Sequence, residues 1–553
     1  MLMAKEKSKA KKIIIPAVAV ILTAAIVVTG YFGWYKPKHG IIQKSGGGSD
    51  TKQSVTITPA EVSYETADYK GAKVPKPFVE IFEQAEKDSE AACKKYGTAL
   101  TVGDCEISET EFGMTYFDMF IYASDDEIND PNGLKPSTAS APAAQAYGDG
   151  GATWADRLRE ATSDALKNRY ILFSEALENG FLPSDYTVLE LSGIPETIEY
   201  NAEVKGVTPD KELAGSYFDG VTVSLYVRNL ILRAYADEYE TAVTDSFAAA
   251  HSDSEIKDIY EQNPSKYNYV DVRVFTIFSE DDEAVERAKK EVTDLDSFYK
   301  FGLDYFGKYD SGYADKQEKE TRCHFATFDD LDRLYGSSIA EWCFAEGRQA
   351  GDVSVVEGII YNCLIFVEKT QYTTCSVNFY ESLTAFNENG LQAQNESEIN
   401  GSKNAAQSHY DLLKRNNGSL ETMKEIADSY NESTRSIDTR GKCERSHVSD
   451  MGYNVARWML SSERKKGDFE VIESDIGYGV YYFDSINKED TDAYDKIRSN
   501  LAEEEFEHYY DSLLVFNGYK TVTNSGVVDG ASQKGEDSCA RYAEKVSERR
   551  SSQ

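Results

Sequence analysis

The chain has 553 residues and a formal net charge of −36, long enough for three or four domains and too acidic to favour nucleic acid or anionic lipid as a partner. Its eight cysteines, at 93, 105, 323, 343, 363, 375, 443 and 539, include no Cys-x-x-Cys pair, which gives no sign of a zinc knuckle or a thioredoxin-type site. An even count permits disulfides, with Cys93 and Cys105 or Cys363 and Cys375 nearest in sequence, but fixes no pairing.

Lys5, Lys7, Lys9, Lys11 and Lys12 precede an uncharged run from Ile13 to Tyr35, longer than the roughly 20 apolar residues that cross a bilayer. Tyr31, Phe32, Trp34 and Tyr35 suit an interfacial belt, and the lysines favour a cytoplasmic N-terminus. This predicts a cytoplasmic tail and transmembrane anchor over 1–36, with the bulk of the chain extracytoplasmic. A cleaved signal peptide is the competing reading, but the run is long for one and no Ala-x-Ala site follows.

Residues 37–104 read as a polar tether, including Gly46-Gly47-Gly48-Ser49, followed by a helix over 77–96. Ser108-Glu109-Thr110-Glu111 is a capping box that opens a helical module over 105–265. Phe112, Tyr116, Met119 and Phe120 form its first apolar face. After a loop at 124–152, Thr153-Trp154-Ala155-Asp156 caps a helix that runs through Leu158, Leu166 and Leu172 and stops near Gly180. Further helices are predicted over 186–205, 209–218 and 223–250. From Tyr267 the apolar period alternates, with Val270, Val272 and Val274 on one side of a strand. A long acidic helix is predicted over 490–516, with Ile497, Leu501, Phe506, Tyr509 and Leu513 on its apolar face, and 526–553 reads as a disordered tail.

One stretch occurs twice. Ala340, Trp342, Arg348, Gly351, Asp352 and Val355 recur 116 residues later as Ala456, Trp458, Arg464, Gly467, Asp468 and Val471. Each copy reads as a short helix, a polar turn closing on Gly-Asp and two apolar strands. The period is far above the roughly 20 to 50 residues of solenoids, so it predicts a duplicated small α+β domain.

Four stretches, in order, resemble extracytoplasmic foldases of the SurA and PrsA type. They are Ile107 to Phe112, Ile256 to Pro264 leading into Tyr267, Ile426 to Tyr430, and the Trp-to-Gly-Asp repeats. The resemblance runs from about Asp104 to Phe516. Together with the N-terminal transmembrane helix read above, it implies an α+β fold with a helical chaperone module at 105–265 and two tandem parvulin-like domains at 266–374 and 375–489. It also implies that a returning helix at 490–525 packs on the module. Unfolded or secreted polypeptides would be the clients, with the membrane held through the N-terminal helix.

Parvulins lower the barrier of about 18 to 20 kcal/mol to X-Pro rotation with an apolar proline pocket and a polar cluster containing two histidines. Here Phe275-Thr276-Ile277-Phe278 stands where the family shows His-Ile-Leu, and Tyr361-Asn362 and Tyr478-Gly479 stand where it shows Tyr-His. The resemblance therefore implies degenerate domains, with no catalytic residue assigned. Trp342, Phe344, Tyr361, Asn362, Trp458, Leu460 and Tyr478 are the candidate substrate-binding residues, although a tryptophan in such a pattern is more often core. His324 beside Cys323 and His447 near Cys443 read as loop residues, since a zinc site would need ligands from both domains. Cys443 could instead stand where some parvulins place a catalytic thiol. No cofactor, metal or nucleic acid is expected. An active isomerase and a scaffold for a single dedicated partner are the alternatives.

Overall fold

The computed structural model describes residues 51–552 apart from 58–60, 125–133, 149–150, 308–309, 311, 359–360, 387–394, 435–440 and 475. Two compact units divide the chain: residues 1–250 with 502–553, and residues 251–501. Among the described residues no helix is long and apolar enough to cross a membrane. The expected fold class, which included a transmembrane helix, is therefore corrected to a mixed helix-and-strand fold with no membrane-spanning helix among the described residues. Even the long helix Val223–Ala250 carries Arg228, Arg233, Asp237, Glu238 and Glu240, charges that a bilayer core would not accept. The stretch from Ile13 to Tyr35 lies outside the described residues.

The first unit opens with a hairpin, β1 (Thr66–Tyr69) and β2 (Ala72–Pro75), in what was expected to be tether. Pro75 at the N-cap and Pro77 in the first turn set the start of α1 (Lys76–Tyr96). A second hairpin, β3 (Thr98–Val102) and β4 (Cys105–Ser108), leads into α2 (Glu109–Ser124). The predicted capping box forms: Ser108 Oγ accepts from the Glu111 N–H at 3.2 Å, and Glu111 Oε2 accepts from the Ser108 N–H at 3.2 Å. Then come the short pair β5 (Ala146–Tyr147) and β6 (Ala152–Thr153) and the long α3 (Trp154–Glu178), capped by Thr153 and Asp156. Gly193 splits the predicted 186–205 helix into α4 (Asp185–Ser192) and α5 (Ile194–Lys205), with Pro195 in the first turn of α5. The short α6 (Pro209–Ala214) precedes α7 (Val223–Ala250).

Phe112, Tyr116, Met119, Phe120, Leu158, Leu166 and Tyr235 share one core. Within it Glu111 is fully buried and accepts from Ser89 at 2.7 Å, Tyr170 at 2.8 Å and the Arg228 guanidinium. Burial opposes its charge, but Arg228 and these hydrogen bonds outweigh it and hold its pKa below the usual carboxyl range.

The second unit starts with α8 (Asp253–Gln262). The first repeat then contains β7 (Tyr269–Phe278), α9 (Asp282–Glu291), α10 (Leu295–Phe306), α11 (Tyr313–Glu320), β8 (Arg322–Ala326), α12 (Phe328–Tyr335), α13 (Ser337–Phe344), β9 (Val353–Glu357) and β10 (Tyr361–Tyr372). The second contains β11 (Cys375–Ala385), α14 (Glu396–Arg415), α15 (Leu420–Thr434), β12 (Lys442–His447), α16 (Tyr453–Met459), β13 (Phe469–Glu473) and β14 (Gly477–Thr491). Their antiparallel sheets have the same topology, β8-β7-β10-β9 and β12-β11-β14-β13. Each sheet is covered on both faces, giving two apolar clusters per repeat.

The chain then enters α17 (Asp492–Leu514), which the unit boundary divides at residue 501. In the second unit Ala493 and Ile497 pack with Ile256 and Tyr267. In the first, Phe506, Tyr509, Tyr510 and Leu513 join the core of the early helices. Glu175 on α3 accepts from Tyr509 at 3.0 Å and Tyr519 at 2.5 Å and pairs with Lys52, so three distant segments meet on one carboxylate. After it β15 (Thr521–Thr523) pairs with β3.

The tail expected to be disordered is instead α18 (Ser525–Ser552), whose Val528, Ala531 and Cys539 are buried. Its small residues allow backbones to approach closely: a Cβ on Gly113 of α2 would stand 2.8 Å from the Ala531 carbonyl. Lys534 pairs with Glu109 at 2.6 Å, and Ser538 donates to the Tyr217 carbonyl at 2.8 Å. A helix that packs through Gly, Ala and Ser has little apolar pattern, which is why its sequence looked unstructured.

Candidate client-binding surface

The repeated identities build the same turn twice. Arg348 lays its guanidinium 3.9 Å over the Trp342 ring, and Arg464 does so over Trp458 at 3.9 Å. Arg348 Nε donates to the Trp342 carbonyl at 2.9 Å and Arg464 Nε to that of Trp458 at 3.2 Å. Asp352 accepts the Gln349 N–H at 3.1 Å, and Asp468 the Lys465 N–H at 2.9 Å. Gly351 and Gly467 sit at φ +93° and +92°, where a side chain would be strained. Each glycine donates to its central strand, to Val367 at 2.7 Å and Phe483 at 2.9 Å. These residues hold the turn before β9 and β13.

That geometry changes the role of four candidate residues. Trp342, Trp458 and Leu460 are half-buried against the sheet clusters, and Phe344 is 6 % exposed against Phe328. They pack against the apolar clusters of their own sheets.

The other three lie at the ends of the central strands. Tyr361 is 41 % exposed and is the direct cross-strand partner of Phe278, itself 51 % exposed. Their rings are 5.9 Å apart, and Tyr305 and Phe306 of α10 stand 6.4 and 6.5 Å from Phe278. Leu303, one turn before Phe306, adds a further exposed apolar side chain. Asn362 is half-buried beside Tyr361. Phe278 was missed as a surface residue, although its place before Ser279-Glu280-Asp281, at the end of a strand, is a signal for one.

Tyr478 does not match Tyr361. Val355 pairs with Leu364 and Val471 with Val480, so the offset of 116 continues through the last strand and matches Tyr361 with Gly477, and Asn362 with Tyr478. Tyr478 donates to Glu473 at 2.7 Å and contacts Phe386, with ring centroids 6.0 Å apart. At the position of the exposed aromatic pair, the second repeat has Ala385 across from Gly477.

No protein-family model and no curated protein matches this chain in sequence.

Four histidines of the described residues have polar neighbours away from that surface. His324 is in β8, not a loop, with Nδ1 3.4 Å from Asp271 and Nε2 3.1 Å from Glu368. Asp271 also accepts from Tyr372 at 2.6 Å and from the Phe325 N–H at 3.0 Å, while Glu368 accepts from Arg273 at 2.7 Å. Burial opposes the imidazolium, but the two carboxylates win and raise its pKa; both carboxyls are lowered in turn. The His324 ring lies 4.3 Å from Tyr453 of the second repeat, and Arg322 stands 4.1 Å over that same ring. His409 meets Ser382 at 3.0 Å, His447 meets Asp495 at 2.8 Å and His251 lies 3.3 Å from Glu255.

All eight cysteines are free thiols, and burial raises that of Cys443 to about 12, the opposite of an activated nucleophile. Among the described residues no group of three or more His, Cys, Asp or Glu side chains is placed to hold a metal ion.

Proposed function

We propose that the chain is a protein-folding factor that binds unfolded polypeptides through exposed apolar surfaces, with parvulin-like repeats that have lost isomerase chemistry. The observation that carries this reading is the exposed aromatic pair Phe278 and Tyr361. An accessible aromatic cluster presents faces and edges to a proline ring or an apolar side chain of a client. Supporting it, Leu189 of α4 and Tyr200 and Val204 of α5 are 76, 66 and 64 % exposed, so the helical unit offers a second apolar surface. Among the described residues, Thr276, Ile277 and Asn362 stand near Tyr361 on the paired strands, which supports a reading without the two-histidine cluster.

The deciding experiment pairs an aggregation assay on a denatured client with a proline-limited refolding assay. Suppressed aggregation without acceleration, lost in a Phe278→Ser, Tyr361→Ser double variant, is the expected result. Acceleration of the proline-limited phase would make the chain an isomerase. No effect on either client, with capture of one stoichiometric protein, would make it a dedicated scaffold.

A further inference from the structure

The two sheets differ at one edge. In the first repeat, the bonds from Val367 N–H to Asp352 O and from Gly358 N–H to Tyr361 O, both 2.9 Å, fix the alternation of the outer pair of strands. Ser354 and Val356 bond inward to β10, so the N–H and C=O groups of Val353, Val355 and Glu357 point away from the sheet. Among the described residues no hydrogen bond uses those groups. The strand reads Val-Ser-Val-Val-Glu, with no proline, lysine or bulge to deter pairing. Val353 and Val355 are half-buried toward α9 and α10, and Val356 toward α12 and α13.

The matching edge of the second repeat is defended. By the same alternation Phe469, Val471 and Glu473 point outward, but Asn454 donates to the Glu473 carbonyl at 3.2 Å. The turn between α14 and α15 presses on Phe469, where a Cβ on Gly418 would come within 2.7 Å of its ring. The β13 edge is thus obstructed at its two ends, whereas among the described residues nothing bonds to the outward groups of β9.

We propose that β9 receives an extended, basic segment of an unfolded polypeptide as a fifth strand of the first repeat's sheet. Main-chain bonds to Val353, Val355 and Glu357 supply affinity independent of side-chain sequence, which suits a protein that meets many clients. Alternate apolar residues of the segment continue the faces begun by Val355 and Val356. Exposed Glu357 and a chain of net charge −36 favour lysine and arginine at the remaining positions. The added strand lies two strand spacings, about 10 Å, from Tyr361's strand, so a client can engage edge and aromatic pair together. The proposal rests on the folding-factor reading and specifies how the client is held.

The test uses the full chain and a fluorescent peptide of alternating valine and lysine. Val355→Pro removes an outward N–H without touching the β9–β10 ladder, so the fold survives while an incoming strand is blocked. It should weaken peptide binding about tenfold, which corresponds to about 1.4 kcal/mol. The matching Val471→Pro should leave binding unchanged. Methylating the peptide's amides on alternate residues should abolish binding in one phase and spare it in the other. If Val355→Pro binds as the parent does while Phe278→Ser, Tyr361→Ser loses binding, the edge proposal is wrong and the folding-factor reading stands. If the parent binds neither peptide nor denatured client, that reading fails first. If the parent is a dimer that Val355→Pro separates, a second copy occupies the edge and the proposal is overturned.

Discussion

The two repeats of the second unit share their internal devices but not their surfaces. Both hold the turn with an arginine over a tryptophan, and both bend the outer strand where a side chain on the central strand accepts a backbone N–H. Asp271 takes that of Phe325 at 3.0 Å and Asn378 that of Arg445 at 2.8 Å, with Phe325 and Arg445 at φ +52° and +48°. Yet one repeat ends its central strands in Phe278 and Tyr361 and the other in Ala385 and Gly477. Packing constraints act on both copies alike, because each turn bonds to its own central strand. Surface residues carry no such constraint, so the two copies differ there.

The largest effect on stability should come from positions that match in sequence but not in burial. Phe344→Ala, in the core of the first repeat, should cost about 3 to 4 kcal/mol, and Leu460→Ala at the half-buried equivalent about 1 to 2, by denaturant unfolding. Client binding below the unfolding transition should stay intact in both. Loss of binding in folded Phe344→Ala would favour the pocket expected from the sequence.

Next come the turns. Gly351→Val and Gly467→Val should each cost about 1 to 3 kcal/mol, since both glycines lie where a β-branched residue is strained. Arg348→Met and Arg464→Met should each cost about 1 kcal/mol through the lost ring contact and carbonyl bond. Unequal costs within either pair would break the equivalence of the two turns.

The histidine cluster is specific to the first repeat. With its folded pKa above the ordinary value of 6.5, His324 contributes stability that is fully present below that value and lost as pH rises through the folded pKa. Asp271 and Glu368, with lowered pKa values, contribute in the opposite direction and lose their contribution at acid pH. Thermal unfolding between neutral and mildly alkaline pH should therefore flatten in His324→Gln. An unchanged slope in that variant would assign the pH dependence elsewhere.

The smallest expected change is a gain. Ala385→Phe places an aromatic ring across from Gly477 and should tighten binding of an apolar peptide about two- to threefold, within the range of one aromatic contact. No gain would show that Tyr305 and Phe306 behind Phe278 matter as much as the exposed pair.

Much of the second unit could be read from the chain. Six identities at one offset marked the turn, and alternating Val270, Val272 and Val274 marked a central strand. In the first unit the capping boxes at Ser108 and Thr153 placed the helix starts. The role of the repeated residues could not be read, because a tryptophan that lines a pocket and one that stacks under its own arginine have the same spacing. His324 and His447 were misplaced in loops for a similar reason: Arg322 to Ala326 and Lys442 to His447 are too short and polar to announce edge strands.

The sequence alone determined what is local: periods, caps, the glycine turns and the fact of duplication, each set by neighbouring residues and backbone sterics. Only the tertiary structure decided that α18 docks on α2 through small residues, and that Trp342 faces its own sheet. It also decided which strands lie at the sheet edges. Those depend on which distant segments come within hydrogen-bonding and van der Waals reach, a property of the closed chain that no local pattern encodes.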